Sequence, residues 1–253
     1  MKKRLTALAL TAVLAWGLAA PAAAASFADV PANYWGADGI QYVTQRGLFG
    51  GDGPNTFSPN APFTRSMLVQ VLYRYAGEPA VSGTIAGNTA FTDIPQGAYY
   101  EDAVLWALDK GILPVWFYQD SRKEEDRSKQ FRPDQAVNRA EMCLILYAYH
   151  NQVLGLEYDE SLQPIKEYLQ QTRGQQFPDV TLGSLLNTFP ELADYSFFND
   201  IPVDILFVMA GWGYHEGIIS GTSDRTMSPD LEVSRAQAAV MLMQFDRKYG
   251  GAA

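Results

Sequence analysis

A chain of 253 residues with 28 acidic and 19 basic side chains carries a formal charge of −9, which excludes a general binder of nucleic acid or anionic lipid, because both need a cationic face. A single cysteine, Cys143, excludes an internal disulfide, so the fold must rest on its core. The only histidines are His150 and His215, and no G-x-S-x-G or H-E-x-x-H motif is present, so catalysis has no motif support.

The first residues read as an export signal. Lys2, Lys3 and Arg4 precede an apolar run from Leu5 to about Leu18, Pro21 breaks it, and Ala23-Ala24-Ala25 offers a small-residue cleavage site. Cleavage is expected after Ala25. Residues 1–25 hold three basic side chains and no acid, so the remainder carries a formal charge of −12. No later stretch is long and apolar enough to cross a bilayer: Ile201 to Gly213 is short and contains Asp204.

Beyond the signal, one pattern recurs. Phe27-x-Asp29-Val30, Phe91-x-Asp93-Ile94 and Phe177-x-Asp179-Val180 each open a segment that later reaches an F-x-P-x5-R pattern. Its members are Phe57, Pro59 and Arg65, then Phe131, Pro133 and Arg139, then Met227, Pro229 and Arg235. In the first copy, Trp35 to Arg46 has helical apolar spacing, and Gly47 is placed to end that helix. A turn-rich loop, GGDGPNTFSPN, leads to Thr64, which caps a second helix running to about Tyr75. Leu68, Val71, Leu72 and Tyr75 form its apolar face. Gly77 to Ala90 reads as a connecting loop.

The second copy repeats the front half, with Trp106 five residues before Gly111. Its loop is longer by the charged segment WFYQDSRKEEDRSK, which reads as a solvent loop. Asn138 then caps a helix with Met142, Ile145, Leu146 and Tyr149 inward. Cys143 lies in the apolar run AEMCLILYAY and is expected to be a buried, inert thiol. Residues 157–176 read as a linker. The third copy carries about 20 extra residues, roughly 181–200, ahead of Trp212 and Gly217. Ser234 caps its second helix, with Ala238, Met241, Leu242 and Phe245 inward. The copies are assigned to residues 26–80, 81–156 and 177–253. A two-helix unit cannot bury its own apolar face, but second helices can pack together as a central bundle.

The segment FADVPANYWGADGIQYVTQRGLFGGDGPNTFSPNAPFTRSMLVQVLYR, with NRAE at 138–141, GIISG at 217–221 and SRAQ at 234–237, resembles the S-layer homology (SLH) repeat. That resemblance implies a mainly α fold, with three helix–loop–helix repeats arranged as a pseudo-threefold trimer around a central three-helix bundle. It also implies grooves between repeats that bind secondary cell-wall polysaccharide or a peptidoglycan-linked glycan, often through a pyruvylated amino sugar. The arginine of the family's T-R-A-E motif maps to Arg65, Arg139 and Arg235.

Each of those arginines follows a helix cap. A guanidinium grips a carboxylate bidentately, and a helix start offers free N–H groups and the positive end of the dipole. The competing reading pairs each arginine with Asp29, Asp93 or Asp179 purely to hold the repeat together. Gly50, Gly51 and Asp52 in the first copy, and Ser220 and Gly221 in the third, are candidates for the rest of each groove, since glycine lets a ligand approach the backbone. Trp35 and Trp212 are candidate sugar-stacking platforms, or else core aromatics.

Two of the three motifs lack the glutamate: Met67 and Gln237 stand in its place. The second copy has Leu113-Pro114-Val115 where the family has a glycine loop. Fewer grooves than copies are therefore expected to work. No cofactor or metal is expected, because GDGPN lacks the closing glutamate of a calcium loop. The rival to glycan anchoring is an adaptor that binds another protein through the inserts at 115–130 and 181–200.

Overall fold

The computed structural model describes residues 27–88, 91–113, 130–156, 212–223 and 226–250. The signal segment, the linker, Asp179 and nearly all of both inserts lie outside them. Among the described residues the protein is mainly helical, without named strands: α1 Ala37–Gln45, α2 Arg65–Tyr75, α3 Ile85–Asn88, α4 Glu101–Asp109, α5 Arg139–Gln152 and α6 Arg235–Tyr249. Residues 212–215 are also helical. The short α3 falls inside the stretch expected to be loop throughout.

The capping residues start the helices where the pattern places them. The Thr64 hydroxyl accepts the Met67 N–H, the Asn138 side chain accepts the Glu141 N–H, and the Ser234 hydroxyl accepts the Gln237 N–H. In α5 and α6 the third helical residue reaches back: Glu141 Oε2 accepts the Asn138 N–H at 3.0 Å, and Gln237 Oε1 accepts the Ser234 N–H at 2.9 Å. At the other end, Gly47, Gly111 and Gly217 have φ of 67°, 66° and 73°. Each N–H returns to the carbonyl three residues back (Thr44, Leu108, Tyr214), and the following Leu48, Ile112 or Ile218 N–H returns to Val43, Ala107 or Gly213. That is a Schellman closure, which needs a left-handed residue and so favours glycine.

Helix α1 is shorter than the sequence suggests. Trp35 lies before it and is 61% exposed, so its place in the helical apolar pattern is a correction. The inward residues of the second helices are buried as expected, except that Tyr75 is partly open. Cys143 is buried, and burial pushes its thiol up to about 12.

The packing partners lie far apart in the sequence. Helix α1 rests on α6, with Gly39 against Val240 and Gly36 against Ala236. Helix α4 rests on α2, with Trp106 and Tyr73 rings 5.6 Å apart. Gly213 presses on Cys143 of α5. At the start of the second helices a ring of backbone bonds joins the copies. The Phe63 N–H donates to Val233 O, the Val233 N–H to Val137 O, and the Val137 N–H to Phe63 O, each at 2.8 Å. At the far end, the rings of Tyr75, Tyr149 and Phe245 meet pairwise at 5.4 to 6.0 Å. Just below, the buried Asp246 accepts the Tyr42 hydroxyl at 2.6 Å and the Tyr75 hydroxyl at 2.8 Å, and pairs with Arg46 Nε at 3.0 Å.

Burial raises the phenols of Tyr42, Tyr73, Tyr75, Tyr100 and Tyr149 above their ordinary 10.0, and Asp246 pushes Tyr42, Tyr75 and Tyr149 further the same way. A phenol harder to ionise when folded keeps its proton after the unfolded chain has lost it. Stability is therefore complete below pH 10 and falls as pH rises beyond it. In an alkaline titration, tyrosinate absorbance and loss of helical circular dichroism should rise together. Tyrosinate appearing in full at its ordinary pH while the helices persist would contradict this.

Candidate functional site

Each second helix begins with an arginine whose backbone is fully engaged. The Arg65 N–H donates to Gln135 O, the Arg139 N–H to Leu231 O and the Arg235 N–H to Ala61 O, at 2.9 to 3.0 Å. The next N–H groups, of Ser66, Ala140 and Ala236, donate to Pro133, Pro229 and Pro59. The third N–H is taken by the cap. The helix starts therefore offer no free backbone donors at these positions, contrary to the sequence reading. What remains for an anion is the guanidinium and the positive dipole end.

Each of the three guanidinium groups reaches a turn carbonyl far from it in sequence, and the residues are only 3%, 5% and 5% exposed for Arg65, Arg139 and Arg235. Arg235 Nε donates to Phe57 O at 2.8 Å and Nη2 to Gly50 O at 2.6 Å. Arg139 repeats that grip one seam on: Nε donates to Met227 O at 2.7 Å and Nη2 to Ser220 O. Arg65 Nη1 donates to Phe131 O at 3.4 Å, and Nη2 binds Glu141 Oε1 at 2.7 Å. A cation in a first turn opposes the dipole, and these carbonyls supply the compensation.

The turn that presents those carbonyls is itself held open. Ser58, Arg132 and Ser228 have positive φ of 54°, 56° and 47°, which is strained for any residue with a side chain. The Asp29 carboxylate accepts the Phe57 and Ser58 N–H groups at 2.9 and 2.7 Å. Asp93 does the same for Phe131 and Arg132 at 2.9 and 2.6 Å. Those donors, led by the Phe57 N–H, hold the Asp29 carboxyl below the usual carboxylate range. The Asp of the F-x-D motif is thus a turn clamp, and no carboxylate lies within ion-pair distance of Arg235 among the described residues.

The structure brings Arg235 onto the Gly50 carbonyl with Asp52 nearby, and Arg139 onto the Ser220 carbonyl. Gly50 and Ser220 contribute carbonyls. Gly51 has a structural reason to lack a side chain: a Cβ there would lie 2.3 Å from Thr56 O. Asp52 is exposed, and the Ser58 hydroxyl, reinforced by Arg235, keeps its carboxyl low. Phe57 and Phe49 lie under the Arg235 guanidinium, with ring centroids 4.7 and 5.6 Å from Cζ. Burial pulls that guanidinium down from its ordinary value, against the pull of Asp52 and Asp29.

The two tryptophans part company. Trp35 is exposed beside Tyr34, ring centroids 5.5 Å apart, and stays available as a platform. Trp212 is 0% exposed among Tyr147, His150, Phe245 and Tyr249, so it is a core residue and leaves the candidate set. The residues missed from sequence are those facing two of the arginines: Glu141 at Arg65, and Met67 with Sδ 3.7 Å from Arg235 Nη1. They occupy the third helical position of the neighbouring copy's motif, a signal visible as the missing glutamates but not assigned to a partner.

The model of the S-layer homology domain matches residues 26–66 and 211–239. The chain is similar to S-layer protein EA1 of Bacillus anthracis, 24% identical over 251 residues, covering 98% of this chain and 23% of that protein. It is similar to S-layer protein sap of the same organism, 24% identical over 253 residues, with 98% and 25% covered. A cellulosome-anchoring protein of Acetivibrio thermocellus is 28% identical over 123 residues, covering 48% of this chain and 25% of that protein. The chain thus spans about a quarter of the length of the curated relatives it matches.

Proposed function

We propose, from the match of residues 26–66 and 211–239 to the S-layer homology domain, that the chain anchors to the bacterial cell wall by non-covalent binding of a wall polysaccharide in grooves between its repeated units. The observation that carries this reading is the repeated seam: an arginine at a helix start, gripped by neighbouring carbonyls, beside a turn-rich loop. The relatives named for S-layers and for cellulosome anchoring point the same way. The proposed ligand is anionic, a pyruvylated secondary cell-wall polysaccharide, since a ketal carboxylate on a compact sugar suits a guanidinium with its fork already oriented. Trp35 is the proposed sugar platform. The site is proposed to bind and not to catalyse, and the protein to reside at the cell surface after export.

The test is sedimentation of the exported chain with purified cell-wall sacculi, before and after chemical removal of pyruvyl ketals. Binding that falls at least about tenfold on depyruvylation is expected, as loss of a charge-assisted contact implies. Unchanged binding would exclude the carboxylate, and no binding to untreated sacculi would favour the adaptor role.

A further inference from the structure

We propose that the cavity between the loop at 79–82 and the C-terminal half of α4 is a second ligand site, one that takes the acetamido group of an uncharged N-acetylated sugar. It encloses about 370 Å³, within the range of roughly 300–1,000 Å³ found for small-molecule sites. It lies away from the arginines. Helices α2 and α4 run side by side in the same direction: the Tyr99 hydroxyl donates to Ser66 Oγ at 3.2 Å, and about two turns further along both, the rings of Trp106 and Tyr73 meet. The cavity is at their C-terminal ends, while Arg65 opens α2, so about 15 Å of helix separates the two.

Both walls are held in place. On the loop side, Gly77 and Glu78 take positive φ of 82° and 51°, which turns the chain sharply off the end of α2. The Tyr73 hydroxyl then donates to Pro79 O at 2.9 Å. Beyond the cavity, α3 packs on α4 and its Ile85 is buried. The loop is thus tied down on both sides of residues 79–82. The site is formed before a ligand arrives, which lowers the ordering cost of binding.

The lining selects the ligand class. Pro79, Val81, Leu105, Trp106 and Leu108 give an apolar wall, but Leu105 and Trp106 are only 7% and 3% exposed. Such a patch covers a methyl group and not a large hydrophobe. Polar groups surround it: Ser82, and the ion pair of Lys110 with Asp109 at 3.1 Å. Among the described residues, the N–H groups and carbonyls of Ala80, Val81 and Ser82 have no hydrogen-bond partner. Three successive amides with unspent donors and acceptors match an acetamido group, which needs an acceptor for its N–H and a donor for its carbonyl. Anions are disfavoured. The carboxylates of Glu78 and Asp102 bear on Tyr73 beside the cavity, Asp109 stands on its rim, and α2 and α4 both end there with their negative dipole ends. Lys110 on the same rim disfavours a cation in turn. The ligand is therefore uncharged, in contrast to the carboxylate proposed for the arginines. A sugar bearing an acetamido group supplies methyl, amide and hydroxyls in one small body.

Titration of the exported chain with di-N-acetylchitobiose, followed by backbone amide chemical shifts, tests this. Saturable shifts are expected at the amides of 80–82 and 105–110, and not at those of Arg65, Arg139 and Arg235. Cellobiose, with hydroxyls in place of the acetamido groups, should bind at least about tenfold more weakly, as loss of two hydrogen bonds implies. The deacetylated disaccharide, a dication, should be weakened by at least as much. Val81→Trp fills the cavity from a partly exposed position and should also weaken binding about tenfold or more, with circular dichroism unchanged. Absence of saturable shifts in the wild-type chain, shifts at the arginines instead, or equal affinity for cellobiose would each overturn the proposal. So would undiminished affinity in Val81→Trp. None of these outcomes depends on pyruvyl ketals, so this site and the wall-anchoring reading stand or fall separately.

Discussion

Replacing Asp246 by alanine is expected to destabilise the fold by about 3 kcal/mol and to lower the thermal midpoint by roughly 6–12 °C. The carboxylate is the shared acceptor for the hydroxyls of Tyr42 from α1 and Tyr75 from α2, and it lies on α6. Its removal leaves two partly buried phenols without an acceptor, at about 1–3 kcal/mol each. The Arg46 contribution is discounted, because that side chain is 47% exposed and water replaces the lost partner. Asp246→Asn keeps one acceptor oxygen and should cost about 1 kcal/mol. Urea unfolding would decide the matter: an alanine variant within 1 kcal/mol of wild type would show that the phenols find water instead.

A second large effect is expected at the other contact between α1 and α6. A Cβ at Gly39 would lie 2.7 Å from Val240 Cγ2 and 2.9 Å from both Val240 Cα and Val240 N. A side-chain methyl can turn aside, but helix backbone cannot. Gly39→Val should therefore cost about 3 kcal/mol or more by forcing the helices apart. Gly39→Ala should cost less, since alanine's helix propensity returns about 1 kcal/mol. Trimming the partner with Val240→Ala relieves only the Cγ2 contact, so a double-mutant cycle should show partial rescue at best. Full rescue would mean that the backbone has room to give.

Much of the local structure was legible in the residues. Thr64, Asn138 and Ser234 marked the helix starts, and Gly47, Gly111 and Gly217 the helix ends, because both devices act through bonds within a turn or two. The inward faces of the second helices followed from periodicity alone. What did not follow was partnership. Nothing local in Gly39 says that it meets Val240 of the last helix, and nothing in Arg65 names Glu141. Those pairings cross between copies, and periodicity reports which face is buried but not against what. The same limit explains the tryptophans: Trp35 and Trp212 are both aromatics within the repeated pattern, yet only the second is enclosed. The arginines were found as a set through the motif. Their use of the neighbouring turn's carbonyls depends on the positive-φ conformation at Ser58, Arg132 and Ser228, where glycine would be the usual marker and none stands.

The closed cycle of backbone bonds through Phe63, Val233 and Val137 also bears on how such a protein can change over time. An array of stacked repeats is open at both ends, so it needs capping units and can lengthen by duplicating one of its members. A cycle has no ends to cap, and α1 already occupies the face of α6 that a newcomer would need. Removing any one of the three linked segments would strand the N–H or carbonyl of its neighbours. Substitution is expected to be tolerated best in the loops between helices and at single positions such as Met67 and Glu141, which lie outside the bonded ring.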